Sequence, residues 1–200
     1  MKIIKHRINT IAQLTETPTQ YGLEIDIRSY NGKLILHHDP MIQGDSLDEW
    51  LKVYDHGLLI LNVKEEGLEN ELIAAMAANN IDQYFFLDQS FPFLVKWAKG
   101  AGRRSAVRIS EFESIDTALT LAGQIDWVWV DYFTRFPLGP EEERKLRDAG
   151  FQVCLVSPEL QGHEATEHIP SLISLLEVNN IVPDAVCTKM PELWERAFGK

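Results

Sequence analysis

Short runs of β-branched and aromatic residues alternate along this chain with stretches in which apolar positions recur every three or four residues. The first period suits a strand buried in a sheet and the second an amphipathic helix. Runs at 2–6, 23–28, 58–64, 84–88, 105–109, 127–131, 152–156 and 185–188 read as strands. Helical spacing covers 46–54, 68–79, 93–99, 114–122, 141–149, 170–178 and 191–198. Local punctuation agrees with several of these bounds. Ser46 and Ser114 stand where N-caps would, Gly150 where a C′ residue would, and Pro140 and Pro191 where first turns open. A further run at 33–37 follows Asn31-Gly32, a tight-turn pair, and is expected to pair antiparallel with the strand before it.

About eight strand–helix units, spaced by roughly 20 to 28 residues, predict a (β/α)8 TIM barrel with a small β-hairpin after the second strand. An open doubly wound sheet is the alternative, and no Gly-rich phosphate loop after the first strand supports it. Without a linker, low-complexity tract or composition break, residues 1–200 are expected to form a single domain.

Composition narrows the function classes. At 200 residues, with 45% hydrophobic and 24% charged positions, the chain can bury a substantial core, which excludes disordered and fibrous classes. No apolar run approaches the roughly 18 residues of a membrane span, and MKIIKHRINT is too polar to be a signal-peptide core, so a cytoplasmic protein is expected. A net charge of −11 opposes nucleic acid as a partner. A small anionic substrate remains compatible if local cations or a metal reverse the field at one site. Cys154 and Cys187 each lie inside an apolar run and read as buried reduced thiols.

The chemistry of a barrel gathers at the C-terminal ends of its strands. The first strand ends in His6-Arg7, the second carries Glu24 and Asp26, the hairpin ends in His37-His38-Asp39, of which either histidine could reach the pocket, and the next strand ends in Asn62 and Lys64. Glu24 and Asp26, two apart, share one strand face, and with Leu23, Ile25 and Ile27 on the other that face should be the barrel interior. Two inward carboxylates need positive charge between them. A hard divalent cation supplies it, as would ion pairs with Arg28, Lys64 or Arg108. Two imidazoles beside such a pair suit displacement at phosphorus, with one base for the attacking oxygen and one acid for the leaving oxygen.

These residues, with Asn31-Gly32, Leu34-Ile35-Leu36 before the histidines and Thr188-Lys189 before Pro191, resemble the signature of glycerophosphodiester phosphodiesterases, in the phospholipase-C-like phosphodiesterase superfamily. The resemblance implies a TIM barrel that hydrolyses a small phosphodiester with two histidines and one divalent cation, Mg2+ or Ca2+. Carried over by position, it makes His6 and His38 the acid/base pair, Arg7 and Lys64 phosphate contacts, and Glu24, Asp26 and Asn62 metal ligands. Asp39 would orient the His38 ring.

Two departures stand out. Ile8 follows His-Arg where the family usually has Gly, and 9–20 is shorter than the family's usual helix and its Glu-Asn-Thr motif, with Asn9-Thr10 as a remnant. Asn62 stands where a third metal carboxylate is usual, which removes one negative charge from the ligand set.

Two other classes compete with a hydrolase. A phosphate-binding barrel with weak or lost catalysis would account for Asn62 and the trimmed first loop. A Schiff-base aldolase would use Lys64, although the carboxylates nearby favour an ion-paired ammonium over a free amine. Among the remaining strand-end residues, Asp88, Gln89, Arg108, Glu111, Asp131, Ser157, Glu159 and Lys189 would either line the mouth or serve rim hydrogen bonding.

Overall fold

The computed structural model describes residues 1–99 and 103–198. Its elements run β1 (Lys2–Lys5), α1 (Ile11–Glu16), β2 (Gly22–Tyr30), β3 (Lys33–Leu36), β4 (Asp45–Ser46), α2 (Leu47–Leu51), β5 (Leu59–Val63) and α3 (Glu69–Ala78). They continue with β6 (Tyr84–Leu87), α4 (Phe91–Ala98), β7 (Ala106–Ile109), α5 (Ile115–Leu119), β8 (Trp127–Val130), α6 (Pro140–Asp148), β9 (Gln152–Val156), a 3-10 turn (Pro158–Gln161), α7 (Ala165–Val178), β10 (Ala185–Thr188) and α8 (Pro191–Phe198).

Eight of the strands are parallel and follow one another around a ring, β1-β2-β5-β6 and β7-β8-β9-β10, with β1 also paired to β10. The seam between β6 and β7 is narrow. It is carried by the bridge Phe86↔Ser105 and by the Phe86 N–H donating to the Arg104 carbonyl at 2.8 Å. The chain is a (β/α)8 barrel. Among the described residues, no helix is long and apolar enough to cross a membrane.

Alternation along the strands builds the core in two shells. Ile4, Ile60, Phe85, Trp127, Trp129, Cys154 and Cys187 fill the ring. Leu23, Ile25, Ile27, Leu59, Leu61 and Phe86 point outward onto the helices of the first half, and Val107, Val128, Val153 and Val186 do the same in the second. Both cysteines are buried and unbridged. Gly22 is required where β1 and β5 pinch β2, because a Cβ there would lie 2.5 Å from the Leu58 carbonyl oxygen.

Helices α2 and α5 end three residues before the sequence reading places their ends, and three other helices begin where it did not place a start. The segment 9–20 contains the six-residue α1, opened by Thr10 and Gln13 in a reciprocal capping box, so the first loop is partly helical though short. Helix α4 starts at Phe91, with Pro92 in its first turn. Helix α7 begins at Ala165 rather than at Pro170. The Glu164 carboxylate caps the Glu167 N–H, and the buried stripe Ile169, Leu172, Ile173 and Leu176 runs through the proline. Core burial there outweighs the single hydrogen bond that Pro170 removes. After β2 the chain turns back at Asn31 and Gly32, both at positive φ, and β3 pairs antiparallel with it from Tyr30↔Lys33 to Ile27↔Leu36.

Candidate active site

Glu24 and Asp26 point into the ring and are completely buried, while their neighbours Leu23, Ile25 and Ile27 face the helices. Register places Asp26 beside Asn62 on β5, and the Asn62 Nδ2 donates to Glu24 Oε1 at 2.8 Å. From β1, the His6 Nε2 lies 3.8 Å from Glu24 Oε2, and the Arg7 N–H donates to that same oxygen at 2.7 Å. Arg7 makes this contact at φ 55°, a left-handed conformation that costs a non-glycine residue about 1 kcal/mol. Ile8, where the resembled family has Gly, is buried in the outer core beside Leu23 and Ile25.

Three side chains converge on the Asp26 carboxylate. Lys64 Nζ is 3.3 Å from its Oδ1, Arg7 Nε is 3.5 Å from its Oδ2, and Asn9 Nδ2 donates to Oδ2 at 2.8 Å while Asn9 Oδ1 accepts from the Asp26 N–H at 2.9 Å. Ion pairing and the inward carboxylate pair therefore coexist. Lys64 is a partner, whereas Arg28 pairs with Glu65 and Arg108 with Asp88 and Asp131. Asn9, known from the sequence only as a motif remnant, is an organising residue, and its tie to Asp26 spans 17 positions.

Charges alternate onward around the mouth. Lys64 donates to Asp88 at 3.0 Å, Arg108 Nε donates to Asp88 at 2.9 Å, Arg108 also bonds Asp131, and Gln161 Nε2 donates to Asp131 at 2.7 Å. Burial pushes the Asp88 carboxyl up, but Arg108 and Lys64 outweigh it and leave it below its ordinary value. A cleft of about 570 Å³ opens beside this network, with Asp88, Arg108, Phe91 and Phe112 on its walls; His6 and Glu24 do not line it. Gln89, Glu111, Ser157 and Glu159 serve the rim: Gln89 joins Ser105 to Glu69, Glu111 caps the turn at Thr134, and Glu159 ties Ser157 to Thr188.

Burial drives His6 and Glu24 to their neutral forms. The imidazole is held down to about 3 by burial, with Arg7 and Lys189 adding to it, and the Glu24 carboxyl is pushed up to about 7 by burial and the adjacent Asp26. His38 sits elsewhere on the mouth. The loop after β3 is tied back by the His37 N–H to the Asp26 carbonyl at 3.1 Å and by Arg28 Nε to the His38 carbonyl at 3.0 Å. The His38 Nδ1 is 2.8 Å from Asp39 Oδ1, its side chain is 43% exposed, and no hydrogen bond or ion pair joins it to Glu24 or Asp26. His37 Nδ1 instead accepts from the Asp39 N–H at 3.0 Å.

The donor set fits a hard cation in part. Asp26 Oδ1 and Asn62 Oδ1 are buried without a hydrogen-bond partner, and with Glu24 they give oxygen donors on one inner face. Among the described residues there is no cluster of three His, Cys, Asp or Glu side chains, so Asn62 would have to complete the set.

No family model matches this sequence, and neither does any curated protein. Solved structures do match. A glycerophosphodiester phosphodiesterase from Agrobacterium tumefaciens C58 superposes with a TM-score of 0.68 at 14% identity, over 98% of this chain and 99% of the other. One from Parabacteroides distasonis gives 0.66 at 12% identity, over 99% and 86%. A second Agrobacterium tumefaciens structure, provisionally assigned as a glycerophosphoryl diester phosphodiesterase, gives 0.68 at 16%, over 99% and 96%. The fold of this chain is the TIM barrel of the glycerophosphodiester phosphodiesterase structures.

Proposed function

We propose that the chain is a metal-dependent phosphodiester hydrolase acting on a glycerophosphodiester or a related small phosphodiester, with His6 and His38 as its acid/base pair. The observation that carries this reading is the convergence of His6, Glu24, Asp26, Asn62 and Lys64 at the C-terminal mouth of a barrel with that fold.

Glu24, Asp26 and Asn62 would hold one divalent cation, Mg2+ or Ca2+. Such an ion, when bound, supplies positive charge where the phosphoryl oxygens become more negative. Lys64 and Arg7, already at the Asp26 carboxylate, would hold the same oxygens by ion pairs. His6 would take the proton of the attacking oxygen, either water or a hydroxyl next to the phosphate in the substrate, and the substrate's negative charge would have to offset the burial that holds this imidazole neutral. His38, its ring oriented by Asp39, would give a proton to the leaving alcohol.

The test is turnover of a glycerophosphodiester panel with Mg2+, with Ca2+ and with chelator. We expect His6→Ala and His38→Ala each to lose on the order of 10² to 10⁴ in kcat. His37→Ala serves as the control and retains activity. Activity that survives both histidine substitutions overturns the acid/base assignment. A second reading, a barrel that binds a phosphate ligand without turning it over, is favoured by Lys64 and Arg7 already neutralising Asp26. Binding of glycerol phosphate with no hydrolysis of any diester would select it. An aldolase is disfavoured by the pairing of Lys64 with both Asp26 and Asp88.

A further inference from the structure

Most cations at the mouth are committed. Arg7 and Lys64 pair with Asp26, Lys64 also with Asp88, Arg108 with Asp88 and Asp131, and Arg28 with Glu65. Lys189 differs: it is exposed at the end of β10, and its ammonium has no acidic partner among the described residues. Its place in the fold is well determined. Lys5 pairs with Thr188, and the His6 N–H donates to the Thr188 carbonyl at 3.0 Å, so Lys189 follows directly opposite His6 on the adjacent strand.

The backbone at this position is pinned. The Glu159 carboxylate accepts both the Lys189 N–H at 2.9 Å and the Thr188 hydroxyl at 2.7 Å, and the Thr188 Oγ1 accepts the Met190 N–H at 2.9 Å. Helix α8 then opens at Pro191. A cation just before a helix N-terminus opposes the helix dipole, so this lysine is poorly placed for stability. Its charge nevertheless reaches the site, being one of those that hold the His6 imidazole neutral.

We propose that Lys189 is a specificity-determining residue that binds a second anionic group of the substrate, so that the preferred phosphodiesters carry a carboxylate or phosphate on their alcohol moiety. The proposal rests on the phosphodiesterase reading and extends it to the substrate class. In a protein of net charge −11, an uncommitted cation at the strand position opposite the acid/base group is where a dianionic ligand gains most.

Two substrates that differ by one carboxylate test this: sn-glycero-3-phosphoserine and sn-glycero-3-phosphoethanolamine. We expect the protein to favour the serine ester about tenfold in kcat/KM, the size of one charge-assisted contact, and to lose the preference in high salt. Lys189→Met should bring the ratio near one, and Lys189→Glu should invert it. Equal rates for the two esters, or a preference that persists in Lys189→Met, overturn the proposal. If neither ester is hydrolysed under any metal condition, the hydrolase reading falls by itself. Calorimetric titration with phosphoserine and phosphoethanolamine then decides on Lys189: tighter phosphoserine binding that Lys189→Met abolishes supports it, and equal affinities overturn it.

Discussion

His6 and Glu24 face each other at 3.8 Å, and burial pushes their titrations in opposite directions. Glu24, raised to about 7 in the fold, contributes stability that is complete below its ordinary 4.5 and lost as pH rises through 7. His6, lowered to about 3, contributes stability that is complete above 6.5 and lost as pH falls from 6.5 towards 3. The metal-free protein should therefore lose stability from Glu24 as pH rises from 4.5 to about 7 and from His6 as pH falls from 6.5 towards 3, two opposed slopes that offset each other between 4.5 and 6.5. Glu24→Gln removes the first slope and should make Tm, measured by calorimetry, climb more steeply between pH 4.5 and 6.5 than in the parent protein. An unchanged slope in that window would remove Glu24 as a contributor. Asn62 is the other decisive position, since its amide now donates to Glu24. Asn62→Glu replaces that donor with a third carboxylate. It should lower the Tm of the metal-free protein and tighten Mg2+ and Ca2+ binding at least severalfold in titration calorimetry. Weaker binding in the variant would put residue 62 outside the ligand set.

The elements that carry the site are held by contacts of very different strength. The loop from β3 to β4, which brings His38 to the mouth, closes through Gly44, where a Cβ would sit 2.1 Å from the Leu36 carbonyl oxygen. Gly44→Ala must displace this loop. We expect turnover to fall at least tenfold, on the order expected for misplaced catalytic groups, with the far-UV circular dichroism of the barrel retained. Unchanged kcat would mean that the position of His38 is immaterial. On the opposite wall, Arg108 bridges β6 to β8 through Asp88 and the buried Asp131. Arg108→Met leaves Asp131 without its cation and should lower Tm, and adding Asp131→Asn should recover part of the loss because the stranded charge goes with it. A double variant no more stable than Arg108→Met would assign the loss to packing instead. Of these elements, the strands were legible because β-branched runs with alternating faces leave little choice. Helix α7 was not: Pro170 reads as a start, while the stripe from Ile169 to Leu176 that extends the helix past it is settled by burial against the barrel.

Across the whole molecule, a divalent cation should act as a clamp between β2 and β5, which the Asn62 and Lys64 contacts already join. The Tm gained on adding Mg2+ or Ca2+ should be larger at pH 8 than at pH 5.5, because the Glu24 carboxyl ionises between those values, and chelator should reverse it. A gain independent of pH would place the ion elsewhere. The sequence by itself determined the ring of alternating strands and helices and the inward face of Glu24 and Asp26, since a period of two is local. It also determined the order of His6-Arg7, Glu24-Asp26, His38 and Asn62-Lys64 along the strand ends. Only the tertiary structure decided which charges meet. It put Lys64 rather than Arg28 or Arg108 on Asp26, made Asn9 a bracket for that carboxylate, and left Lys189 uncommitted opposite His6. Such pairings depend on strand register and ring closure, which bring together side chains many positions apart, and no local period encodes those distances.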